Sequence, residues 1–82
     1  MIDSARVAAV CTNVNEASQL VDAGVATDQA AAALRASIAQ LVKPPLVAPT
    51  LRLAHELQRD VRRHHLTAAV NAGLAWCTQQ GQ

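Results

Sequence analysis

An all-α fold, a small up-and-down bundle of three to four helices, is what this sequence of 82 residues predicts. Three observations carry the prediction. Apolar residues recur at helical spacing along most of the chain. Gly24 and the prolines at 44, 45 and 49 fall between those stretches. Alanine, a strong helix former, accounts for 18 of the residues.

The elements follow in order as one domain, 1–82. Asp3 or Ser4 is placed to cap a first helix over about 4–23, with Val7, Val10, Cys11, Val14, Ser18 and Val21 on one face. Gly24 is placed to end it in a left-handed conformation. Thr27 is the expected cap of a second helix over 28–42, Asp28 suits its positive end, and Ala30, Ala31, Leu34, Ile38 and Leu41 form its buried stripe. The prolines then impose a crossover over 43–49, in which Leu46 and Val47 are expected to tuck onto the core. A third helix over 50–64 starts at Pro49 or Thr50.

Around residue 65 the apolar stripe changes sides. Leu53, Leu57 and Val61 share one side of a straight helix, whereas Leu66, Val70, Leu74 and Cys77 lie roughly opposite. The expected resolution is a break, with Thr67 capping a fourth helix over 67–79 so that both stripes meet one core. Gln79–Gln82 should fray.

Composition limits the core. Trp76 is the only aromatic residue, and alanine buries little area, so each buried side chain contributes modestly at about 25 cal/mol per Å². Dimerisation through Ala- and Gly-rich faces is an expected way to complete it. Ala69, Gly73 and Cys77, at four-residue spacing, form a groove of small side chains for a crossing helix, either within the chain or from a second copy. Cys11 and Cys77 are expected as buried thiols rather than a disulfide, since two cysteines make no disulfide framework. The absence of a signal-like segment and of a long apolar run gives a cytoplasmic expectation with no membrane partner.

The formal net charge is +1, which argues against a mainly electrostatic binder of nucleic acid or membrane. Its distribution is uneven. Residues 1–42 carry four acids against two arginines, and residues 43–82 carry five cations against two acids. Arg52, His55, Arg59, Arg62 and Arg63 line the polar side of the third helix, making a basic stripe for an acidic protein or for phosphates. Glu56 and Asp60 interrupt the neighbouring arc.

Other chemistry is thinly represented. Glu56, Asp60 and His64 follow one another at i+4, a spacing compatible with a divalent metal but equally with local ion pairs, and no metal is expected. His64 is expected toward the apolar edge as a neutral core histidine. Neither cysteine sits in an activating motif, and the three glycines are isolated, so no catalytic residue, cofactor or enzymatic activity is expected.

The function expected is that of a small protein–protein interaction module: an adaptor, inhibitor, antitoxin-like or assembly factor of bacterial or phage type, binding a protein, itself, or both. A small DNA-binding regulator using the third-helix stripe is the alternative, weakened by the lack of an aromatic for base stacking and of an evident helix-turn-helix.

Overall fold

In a computed structural model, which describes residues 3–24 and 27–81, the chain forms four helices: α1 (Ser4–Asp22), α2 (Thr27–Leu41), α3 (Ala48–Arg62) and α4 (Leu66–Gln79). They pack as a small helical bundle around one core, with no strand among the described residues. None of these helices is long and apolar enough to cross a membrane.

The helix ends show which signals act. Asp3 caps α1, its carboxylate accepting the Arg6 N–H at 2.8 Å. Gly24 follows the helix at φ +70°, a conformation in which a side chain would be strained. α2 already includes Thr27, so the expected cap is a first helical residue instead; residues 25–26 lie outside the described residues. α3 begins at Ala48 with Pro49 in its first turn, and the buried Thr50 hydroxyl donates back to the Val47 carbonyl at 2.8 Å.

The stripe reversal is resolved by a sharp turn between α3 and α4. The His65 N–H donates to the Asp60 carbonyl at 2.8 Å and the His64 N–H to the Val61 carbonyl at 3.1 Å. These are the paired bonds of a Schellman motif, with His64 at φ +58° in the left-handed position that glycine usually fills. Beyond it Leu53, Leu57 and Val61 face the same core as Val70 and Cys77, and Leu66 and Leu74 pack at its edge. Thr67 does not cap α4. That position belongs to His65, which makes no side-chain capping bond. His64 is exposed and is not a core histidine, because the left-handed turn swings it out of the helix it would have followed.

The core is rotated slightly from the expected stripes. In α1 Ala17 is buried where Ser18 and Val21 are only partly so; in α2 Ala33 and Ser37 are buried while Ala31 and Ile38 lie at the edge. Ser37 is accommodated because its hydroxyl donates to the Val10 carbonyl of α1 at 2.9 Å. Trp76, with its large apolar area, is also buried.

Two further expectations are corrected. Cys11 and Cys77 form a disulfide joining α1 to α4, their Cα atoms 5.8 Å apart; burial of both on facing helices brought them within bonding reach. Leu46 does not tuck inward but is 57% exposed, with Val42 46% exposed beside it. The crossover is instead fastened through its backbone. The Arg6 guanidinium donates to the carbonyls of Lys43 at 2.9 Å and Pro44 at 2.6 Å, its forked donors serving both.

Candidate basic face

Inward-facing Leu53, Ala54, Leu57, Asp60 and Val61 set the roll of α3, and with it the outward direction of the basic stripe. Arg52, His55, Arg59, Arg62 and Arg63 are all exposed. They line two different surface depressions along α3. His55, Arg59, Arg62 and Arg63 line a shallow cleft with Gln58. Arg52, nearer the start of the helix, lies in a separate groove between α3 and α4 with Glu56 and Trp76.

Folding adds residues that the linear stripe lacks. Arg35 of α2 lines a groove between α2 and α3 together with Ile38, Ala39, Gln58, Val61, Arg62 and His64. Arg62 lines both this groove and the cleft. The cationic face therefore continues across two helices. Arg35 stands on the polar side of α2 in the sequence, but its proximity to Arg62 depends on how the helices pair, which no local pattern shows.

One ion pair occurs on this face. Arg59 Nε lies 3.2 Å from Asp60 Oδ1, linking a half-exposed guanidinium to a carboxylate whose side chain is 7% exposed. Among the described residues, no carboxylate lies within 4 Å of a nitrogen of Arg35, Arg62 or Arg63. Their positive charges face outward unneutralised. The inward turn of Asp60 also separates it from the exposed Glu56 and His64, so the i+4 ladder does not converge, and no metal-ligating group of three is assembled among the described residues.

The small-residue groove has a different fate. Ala69, Gly73 and Cys77 are all buried. Gly73 abuts Val14 and Cys77 is bonded to Cys11, so α1 of the same chain fills the groove. It is not a free surface for a second copy.

No family model matches the chain, and neither a curated protein nor a solved structure matches it.

Proposed function

We propose that this chain is a small non-enzymatic helical module that binds another protein, one presenting a carboxylate-rich surface, through the basic face of α2 and α3. The observation that carries this reading is the group of exposed arginines, Arg35, Arg62 and Arg63, without carboxylate partners of their own. Arginine's rigid fork of donors pairs bidentately with carboxylates, and a partner supplying them completes hydrogen bonds that this chain leaves open. Adaptor, inhibitor and assembly roles all fit such a surface. The Cys11–Cys77 disulfide favours an oxidising compartment over the cytoplasm, where thiols are kept reduced.

The test is affinity capture from the source cells and their medium with the oxidised protein and with an R59Q/R62Q/R63Q variant. A stoichiometric acidic protein held by the wild type and lost from the variant is expected. Equal capture by both, or elution of nucleic acid in place of protein, contradicts the reading.

A further inference from the structure

We propose that the groove between α2 and α3 binds a small amphipathic organic anion, a carboxylate on a medium-length hydrocarbon chain. The groove shares Arg35 and Arg62 with the protein-binding face, but the ligand proposed for it is a different one.

The two walls of the groove carry matching patterns. Arg35, Ile38 and Ala39 on α2 stand at i, i+3 and i+4, as do Gln58, Val61 and Arg62 on α3, so each set forms one strip along its helix. The crossover between Leu41 and Ala48 is short, and the helices run back against each other. Arg35, Arg62 and His64 line this groove together with Ile38, Ala39, Gln58 and Val61. The lining thus combines two guanidiniums with aliphatic side chains.

Three properties match this ligand class. The groove is open to solvent on one side and has a volume of about 490 Å³, within the size range of small-molecule sites. No acidic side chain is among its lining residues, so none of them competes for the two guanidiniums. Ile38, incompletely covered by the core, offers the hydrocarbon an aliphatic contact beside Val61. A carboxylate bridging Arg35 and Arg62 would receive charge-assisted hydrogen bonds from both helices, while its chain removes apolar surface from water.

Titration calorimetry with octanoate and decanoate, below their micelle-forming concentrations, tests the proposal. Decyltrimethylammonium, with the same chain and opposite charge, serves as the control. The expected result is saturable binding of the carboxylates, tightening about two- to fourfold per added methylene, and no binding of the cation. Arg35→Gln and Arg62→Gln should each weaken decanoate about tenfold, as loss of a charge-assisted bond implies. Arg52→Gln and Arg63→Gln, outside the groove, should leave it unchanged. All four positions are exposed, and circular dichroism verifies that each variant folds. No binding at millimolar decanoate, equal binding of the cation, or equal weakening by Arg52→Gln overturns the proposal. Since Arg59 and Arg63 do not line the groove, an R59Q/R63Q variant that loses the acidic protein but still binds decanoate distinguishes failure of one reading from failure of the other.

Discussion

Gly73 of α4 meets Val14 of α1 with no room for another carbon: a Cβ added at Gly73 would lie 2.9 Å from both Val14 methyl groups. Three residues before Val14, Cys11 is bonded to Cys77, four residues after Gly73. The two pairs are successive rungs of one antiparallel crossing. The terminal helices are joined by a covalent bond and, one turn away, by an approach that only glycine permits.

Gly73→Ala sets two effects against each other. Alanine gains about 1 kcal/mol in helix propensity, but overpacking against Val14 costs about 1–3 kcal/mol. The expected net loss is about 1 kcal/mol in urea unfolding. Val14→Ala should make the same change at Gly73 neutral or favourable, giving a coupling of about 1 kcal/mol in a double-mutant cycle. Stabilisation by Gly73→Ala alone would mean that the helices are not this close.

Reduction of the disulfide should be costly. The bond spans 66 residues in sequence, and chain-entropy reasoning assigns a loop of that length a stabilisation of about 4 kcal/mol. A domain of this size has only about 5–15 kcal/mol in total. Addition of reductant, or a C11A/C77A variant, should lower the thermal midpoint markedly. Equal melting of oxidised and reduced protein would contradict a native Cys11–Cys77 bond.

Ser37→Ala removes the hydroxyl that bridges α2 to the Val10 carbonyl in the core. About 1 kcal/mol of stability should be lost, the usual net worth of one such bond. Ser37→Leu should cost more, because the site is fully buried and has no space for two additional heavy atoms at native packing density. Urea unfolding of the two variants checks both the sign and the order.

His64 occupies a left-handed conformation at φ +58°, which costs an ordinary side chain about 1 kcal/mol. Relief of that cost at His64→Gly exceeds or balances the added freedom of the unfolded chain, so thermal stability should rise or stay level. His64→Val should lose about 1 kcal/mol or more, since a β-branched residue tolerates this region poorly. Stabilisation by valine would exclude the left-handed turn.

Much of the architecture was legible because its signals are local. Helical spacing, the Asp3 cap, Gly24 and the prolines each act within a turn or two of chain. The reversal at residue 65 was visible as an incompatibility between Val61 and Val70, but its mechanism was hidden: the left-handed position carries histidine where glycine is the usual marker. What depended on pairing between helices was not legible. Ser37 looks like a surface residue until the Val10 carbonyl stands opposite it, and Cys11 and Cys77 look like separate buried thiols until α1 and α4 are adjacent. The arginines of α3 are exposed as their helical spacing implies, whereas the addition of Arg35 to their face arises from packing between helices.

The role of the α2–α3 face is tested most directly by nuclear magnetic resonance, titrating the oxidised, isotopically labelled protein with a short glutamate-rich peptide. Shifts should concentrate at Arg35, His55, Arg59, Arg62 and Arg63, and diminish as salt is raised. Shifts confined to α1 and α4, or no shift at low salt, would contradict the assignment of this face to an acidic partner.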